Sequence, residues 1–437
     1  MGRAKKKAKT GHPKAQHGGK QNSSIDPVRA LVACRPSDTR GSADSNDENG
    51  RMQAAIALHA SVRLVSLRLS DDAQGTVELI ASVEAKENEE PNVVRALSFS
   101  PDGRFLAVAG DDKALYVYAI DDGEDAPTQL KLVRRTVSPK KFSSLTWVDG
   151  LSVLVANKYG DVTCVDVREG GKEREMMGHF CSIVLSLEVG EERDGKRLLS
   201  STDRDGKVRV TTLEMGTLHD AGYNHEIQSF CLGHTSYVSG GVFAEGGKKA
   251  LLVTGGGDGV RVWDPINGQQ QAERADGSLS ESLCAIWEDR KVLEIAHVKD
   301  FGDTINEKHP MSIVTAIFDG EEANACEDLG VLVVACSDKI DGSFSQGGRQ
   351  LVKTGMKLSG VAADNEGRHV WVIGAGDAST PRLLVYKCNV SGVTSDSLAS
   401  PVELTVAGDV FADMPAWDVP SSFFASYYNK GDAGVMN

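Results

Sequence analysis

The chain has 437 residues, of which 40% are apolar, 6% aromatic and 25% charged, with 46 Gly and 13 Pro, so it is turn-rich and long enough for one large domain plus tails. No stretch approaches the roughly 18 to 20 apolar residues of a membrane helix, and the N-terminus carries no apolar signal core, which sets aside membrane-spanning and exported classes and leaves an intracellular protein as the expectation. The formal net charge of −14 is unevenly spread.

Residues 1 to 20 hold seven Lys or Arg and no acidic residue, leaving 41 of the 48 basic residues against all 62 acidic ones, a net of about −21 for the body. Residues 1–25 read as a disordered basic tail. Its run Lys5-Lys6-Lys7 with Lys9 has the composition of a nuclear localisation signal, so a nuclear location is expected; an RNA-touching arm and a solvated charge run fit the same composition. The acidic body is a poor surface for phosphates, whose binding rests on Lys and Arg releasing counterions. Eight cysteines (Cys34, Cys164, Cys181, Cys231, Cys284, Cys326, Cys336, Cys388) include no C-x-x-C pair, which points to free thiols and not to zinc or a disulfide framework.

Short apolar strands separated by Gly/Asp turns then recur along the chain. A degenerate unit from Val28 to Ser82 comes first, interrupted by a polar loop from Pro36 to Gly50. Val93 to Ile120, Phe142 to Arg168, Gly178 to Leu213 and Gly233 to Asp264 follow. Their closing strands end near Ile120, Val167, Leu213 and Asp264, in steps of 47, 46 and 51 residues, close to the roughly 40 to 45 expected of a four-stranded propeller blade. After a polar loop from Asn267 to Ser282 come weaker copies at Val314 to Asp338 and Leu358 to Lys387. The count is seven, and the reading is all-β: a seven-bladed WD40 β-propeller over residues 26–390. A C-terminal extension over 391–437, with Phe423, Phe424, Tyr427 and Tyr428 clustered near its end, is expected to pack on the propeller or a partner.

The most complete unit begins at Gly233-His234, turns at Gly255 to Gly259 and ends in Trp263-Asp264. His234, Thr254, Asp258 and Trp263 are the candidates for a hydrogen-bonded network that ties neighbouring strands together. The turn is one residue shorter than usual between Asp258 and the Trp. The units at Val93, Phe142 and Gly178 carry Tyr118, Val165 and Thr211 at the Trp position. The glycine run lacks the Lys-Ser/Thr of a phosphate loop and precedes a strand instead of a helix, and no H-E-x-x-H or G-x-S-x-G motif is present. No catalytic, cofactor-binding or metal residues are assigned. Lys140 and Lys141 form a small basic pair, read as a solvated loop or an RNA contact.

Two segments are more selective. Ser201 to Val210 reads STDRDGKVRV and is followed by IQSFCLGHTSY from Ile227 to Tyr237; Leu154 to Val162 reads LVANKYGDV, with Asn157 where an Asp is usual. Together these resemble the WD-repeat, non-catalytic subunit of the tRNA (guanine-N7)-methyltransferase, over roughly Val93 to Lys387. The resemblance implies a heterodimer with a separate catalytic subunit that binds S-adenosylmethionine, so that this chain needs no cofactor. It also implies a scaffold that stabilises the partner and helps to position tRNA for N7-methylguanosine formation in the variable loop, with tRNA reached mainly through the complex and no membrane involved. By position, Lys158, Arg204, Asp205, Lys207 and Arg209 fall on the partner-binding face. On the residues alone, Asp205 as a turn cap and Lys207 and Arg209 as a solvated strand face are the favoured reading, and Arg209 is placed to brace Asp203 or Asp205. The competing class is a propeller adaptor that recruits substrates, for example to a ubiquitin ligase; its expected channel-mouth aromatics and adaptor motif are not evident.

Overall fold

The computed structural model describes residues 28–36, 52–70, 74–84, 92–122, 127–219, 225–246, 249–270, 274–275, 278–279, 290–298, 311–319, 327–336, 344–364, 369–376, 379–388 and 398–414. The N-terminal tail, the aromatic cluster from Phe423 to Tyr428, and Cys284 and Cys326 lie outside these residues.

Seven antiparallel sheets follow one another along the chain and form a seven-bladed β-propeller. Blade 1 contains Leu31–Cys34, Met52–Leu58, Ser61–Leu69 and Gln74–Glu84. Blade 2 contains Val94–Phe99, Phe105–Gly110, Ala114–Asp121 and Gln129–Val137. Blade 3 contains Phe142–Trp147, Ser152–Asn157, Asp161–Asp166 and Glu173–Gly178, and blade 4 contains Val184–Val189, Lys196–Asp203, Val208–Glu214 and Glu226–Cys231. Among the described residues blade 5 has three strands, Val238–Gly246, Lys249–Gly256 and Gly259–Trp263. Blade 6 has Lys291–Val298, Met311–Asp319, Asp328–Cys336 and Phe344–Lys353, and blade 7 has Lys357–Asp364, His369–Ala375, Pro381–Cys388 and Leu398–Pro401. The first strand of each blade is innermost, and the ring closes where Lys357–Asp364 meets Leu31–Cys34. Among the described residues there is no α-helix.

The chemistry of the strands explains this layering. A blade is covered on both faces by its neighbours, so its middle strands are buried and mostly apolar: every residue of Ser152–Asn157 and of His369–Ala375 is buried. Seven buried clusters result, one in each seam. One joins Leu64 and Val62 of blade 1 to Val108 and Tyr116 of blade 2, and another joins Trp371 and Ile373 of blade 7 to Ile56 and Val65 of blade 1. Polar contacts cross the seams as well. The Trp147 indole N–H donates to the Ser98 carbonyl (3.2 Å), Thr202 Oγ1 to the Val238 carbonyl (2.9 Å) and Ser239 Oγ to the Val292 carbonyl (2.6 Å). Outer strands are exposed on one side and carry a bulge at matching places in blades 1 to 4, at Ile80, Val133, Met176 and Gln228. Such bulges interrupt the open edge and oppose pairing with other chains. The inner strands leave a cavity of about 170 Å³ lined in part by Ser143, Ser144, Ser186 and Ser239. It is smaller than the roughly 300–1,000 Å³ of ordinary small-molecule sites.

The structure differs from the sequence reading at both ends of the last blades. Blade 6 begins with Lys291–Val298, which precedes the unit expected to start at Val314. The propeller also continues past the expected boundary at residue 390. Leu398–Pro401 completes blade 7, and Glu403–Val406 then pairs in parallel with Gln74–Glu84 as a fifth strand of blade 1. Beyond it, Arg63 of blade 1 donates to the carbonyls of Asp409 (2.6 Å), Val410 (3.1 Å) and Ala412, and Val410 is fully buried.

A second closure device lies at the start of the ring. The Arg29 guanidinium donates to Glu294 Oε2 (2.8 Å) of blade 6 and to the Ser359 carbonyl (3.0 Å) of blade 7, while the Ala30 N–H donates to Ser359 Oγ (2.9 Å). Glu294 also accepts the Val361 N–H (3.0 Å). One carboxylate thereby joins the first blade to the last two. Replacing Arg29 with Ala should cost roughly 3 kcal/mol, the low end for breaking a buried pair because both side chains keep some solvent contact. Urea unfolding of R29A measures this; a loss under 0.5 kcal/mol would remove Arg29 from ring closure.

Candidate docking face

The blade-5 network is built from four strand and loop positions. His234 follows the outer strand of blade 4 and enters blade 5; its Nδ1 lies 2.6 Å from Asp258 Oδ1 and its Nε2 2.7 Å from Thr254 Oγ1. The Trp263 indole N–H donates to the same Thr254 oxygen at 2.7 Å, and Trp263 is fully buried. With Nδ1–H donating to the carboxylate, Nε2 is left to accept the Thr254 hydroxyl proton, so every group is satisfied by a neutral imidazole. Burial pushes the His234 pKa down, against the opposing pull of Asp258. Burial alone would raise the Asp258 carboxyl, but the hydrogen bond and charge of His234, the Thr235 N–H and Arg261 hold it well below the usual range.

Blade 4 repeats this arrangement with a different turn. His179 Nδ1 lies 2.9 Å from Asp203 Oδ2 and its Nε2 2.9 Å from Ser201 Oγ, with Thr211 at the Trp position. The two turns differ by one residue. In blade 4, residues 203–207 lie between the paired Thr202 and Val208, and the first of them supplies the carboxylate; in blade 5, Gly255 and Val260 pair across four residues and the third supplies it. The missing residue is therefore absorbed by moving the Asp along the turn.

Asp203, not Asp205, is the turn cap of blade 4. It is fully buried and its Oδ1 accepts the N–H groups of Asp205 (2.9 Å) and Lys207 (2.8 Å). Burial opposes ionisation of Asp203, but its bonds from His179 and from the Lys207 N–H hold the pKa down. Asp205 and Lys207 are exposed on that turn, and Arg204 lies 3.6 Å from Asp205. Arg209 braces neither Asp: its Nε donates to Thr211 Oγ1 at 3.1 Å, and burial lowers its pKa. Arg261, its counterpart in blade 5, does brace Asp258, at 3.1 Å.

Lys158 occupies the corresponding turn of blade 3, where Asn157 Oδ1 accepts the Tyr159 N–H (2.8 Å) in the way that Asp203 serves blade 4. An amide oxygen fills this cap as well as a carboxylate does, which accounts for the Asn. Lys158 stands within electrostatic reach of Asp111 in blade 2, whose carboxyl also meets Arg95 (2.7 Å) and Lys141 (3.2 Å). The loop from Gly178 to Ile183 joins the two turns: the His179 N–H donates to the Gly160 carbonyl (3.0 Å) and the Arg204 N–H to the Ile183 carbonyl (3.0 Å). Lys158, Arg204, Asp205 and Lys207 therefore sit on one continuous face of blades 3 and 4, with half-buried Arg209 on the strand leading away from it. The same face carries two features that charge patterns do not reveal. Lys140 Nζ lies 4.1 Å from the centre of the Tyr159 ring, and Phe180 and Leu232 are 89% and 72% exposed.

The sequence matches the family described as the tRNA methyltransferase TRM82 WD40 domain over residues 3–178 and 171–338. It is 33% identical over 193 residues to the Xenopus laevis tRNA (guanine-N(7)-)-methyltransferase non-catalytic subunit wdr4, covering 44% of each chain. It is 33% identical over 190 residues to the Homo sapiens subunit WDR4, covering 43% of this chain and 41% of that one, and 29% identical over 181 residues to TRM82 of Debaryomyces hansenii, covering 40% and 38%. The matched span is less than half the length of each of these relatives. Among solved structures, a chain of the crystal structure of the mitotic checkpoint complex aligns with TM-score 0.50 and 15% identity over 85% of this chain and 96% of that one, a likeness of fold alone.

The two His–Asp pairs predict acid sensitivity. His234 is kept neutral in the fold, so the unfolded chain, titrating near about pH 6.5, takes up that proton first. Asp258 and Asp203 stay ionised in the fold to lower pH than in the unfolded chain, where Asp titrates near about 3.9. Their stabilisation is therefore complete above these unfolded values and declines as pH falls, first below about 6.5 and then below about 4. D258N should lose about 1 to 3 kcal/mol at pH 7. The deficit should shrink between pH 4.5 and 2 in urea titrations; a pH-independent deficit would show that the carboxylate charge contributes nothing.

Proposed function

This chain belongs to the tRNA methyltransferase TRM82 WD40 domain family, and on that premise we propose that it is the non-catalytic subunit of a heterodimeric tRNA (guanine-N7)-methyltransferase. It holds the catalytic subunit in its active arrangement and helps to position tRNA, while the partner binds S-adenosylmethionine and transfers the methyl group. The observation that carries this reading is the continuity of the blade-3 and blade-4 turns, which brings Lys158, Arg204, Asp205 and Lys207 to one face. Charges of both signs on turns that buried caps hold in place are suited to reading a complementary surface and fixing its register. Because the caps are internal to the blades, the face exists before the partner arrives, which lowers the ordering cost of association.

For tRNA, the supporting feature is a local concentration of basic residues on an otherwise acidic body. Lys131, Arg134 and Arg135 on the outer strand of blade 2 run toward Lys140 and Lys141 at the entry to blade 3. Arg134 and Lys141 also pair with Glu173 and Asp111, so this strip supplements the partner's RNA contacts and does not act as a binding site by itself. A nuclear location, carried by the basic residues 1–20, completes the proposal.

Lys207→Glu sets like charge against a partner carboxylate and should weaken the heterodimer by roughly 2 to 5 kcal/mol. The exposed site should change propeller stability by less than about 0.5 kcal/mol. Pull-down of the methyltransferase with a parallel thermal melt reads both; unchanged binding would move the docking face elsewhere. Deleting residues 1–20 should leave the melt and the pull-down intact while lowering nuclear accumulation in fluorescence imaging, and a deletion that stays fully nuclear would refute that role for the tail.

A further inference from the structure

Phe180 is 89% exposed, the highest exposure of any large apolar side chain among the described residues, and Leu232 follows at 72%. Both lie in loops that are otherwise tightly held. Phe180 follows His179, whose ring is fixed between Asp203 and Ser201, and precedes Cys181, which adopts a left-handed φ of 54°. A non-glycine residue in that region stores strain, and such strain persists where the surroundings enforce it. The loop has no room to draw back toward blade 3: a Cβ on Gly160 would stand 2.4 Å from the carbonyl oxygens of both His179 and Ser182. Leu232 directly precedes Gly233-His234, where a Cβ on Gly233 would stand 2.9 Å from the Trp263 ring. Behind it the outer strand of blade 4 also exposes Ile227 and Phe230.

The charged turn of blade 4 lies between these two loops. Its Arg204 N–H is bonded to Ile183 on the Phe180 side, and on the other side a Cβ on Gly206 would stand 2.8 Å from the Ser236 carbonyl, four residues beyond Leu232. Exposed apolar groups held on rigid loops beside a charged turn supply the two components of a protein–protein contact, a few desolvated anchors that carry most of the energy and charges that set register.

We propose that Phe180 and Leu232 are the apolar anchors by which the catalytic methyltransferase subunit grips this propeller, with Arg204 to Lys207 fixing its orientation between them. The proposal rests on the docking reading above and adds residues that the sequence resemblance did not carry over. The occupant follows from continuity: the anchors flank the turn assigned to that partner, so a partner seated on Lys207 covers them.

The test uses the full-length chain with its methyltransferase partner, comparing F180A, L232A, the double variant and K207E by calorimetric titration and thermal melt. Both anchor positions are solvent-exposed, so the melts should not move. Each anchor variant should lose at least about tenfold in affinity and the pair about a hundredfold. Added salt should leave the anchor deficit intact while reducing that of K207E, because screening acts on charge and not on apolar contact. Normal binding by the double variant with weakened binding by K207E would overturn the anchors and leave the docking reading standing. Normal binding by all variants would overturn both. A concentration-dependent homodimer of the isolated chain, seen by ultracentrifugation and abolished by F180A/L232A, would assign the patch to a second copy and overturn the proposal.

Discussion

Burial of both faces of every blade is the constraint from which the rest of this structure follows. A four-stranded sheet with apolar middle strands such as Ser152–Asn157 has no solvent-facing side, so each blade is stable only between two others. Seven seams with seven apolar clusters meet this condition only if the ring closes. Closure is accordingly over-determined. Arg29 reaches Glu294 and Ser359 across the inner strands, and at the periphery Glu403–Val406 adds to blade 1 while Arg63 clamps the chain that follows. These links join segments about 265 to 349 positions apart in sequence, the kind of non-local contact that is slow to form in folding.

The same constraint decides where function can reside. Inner and middle strands are committed to seams, and the outer strands carry bulges that discourage pairing, so recognition falls to the turns and loops of the rim. Those turns are not loose. Asp203, Asp258 and Asn157 each fix a turn through side-chain bonds, and His179 and His234 tie two of the turns to the loop entering the blade. The proposed docking residues are therefore flexible side chains on a rigid base. A hydrogen bond buried beneath the surface holds the backbone that carries Lys207 on top of it, and loss of Asp203 would disturb recognition without any contact to the partner.

Much of this was legible in the sequence because local chemistry repeats at the period of a blade. The four residues of the blade-5 network lie within 30 positions of one another, and their spacing alone brings them together in register. Lys291–Val298 was missed because its inner-strand role depends on pairing with Met311–Asp319 across residues 299–310, a gap longer than the roughly 2 to 5 residues of a hairpin loop. Glu403–Val406 was illegible for a stronger reason, since a parallel partner more than 300 residues away leaves no periodic trace. Asp203 and Asp205 could not be told apart by pattern: DRDGK offers two carboxylates two residues apart, and only the fold buries one and exposes the other. Phe180 and Leu232 were hidden differently, because an apolar residue beside an apolar strand reads as core until its exposure is known.

The division between the charged and apolar parts of the rim bears on how a strongly acidic body can serve the RNA-modifying complex proposed above. With a net charge of about −21 outside the first twenty residues, long-range forces repel a polyanion over most of the surface. At physiological ionic strength that repulsion fades within about 8 Å, so contacts at the rim are governed by local groups. Lys131, Arg134 and Arg135 on the outer strand of blade 2, Lys140 and Lys141 at the entry to blade 3 and Lys158 in the blade-3 turn belong to the two blades that precede the proposed docking turn. A partner anchored by apolar contacts there does not depend on net charge for its affinity. The acidic remainder would then turn RNA away from every other face and leave it only the side on which the catalytic subunit sits.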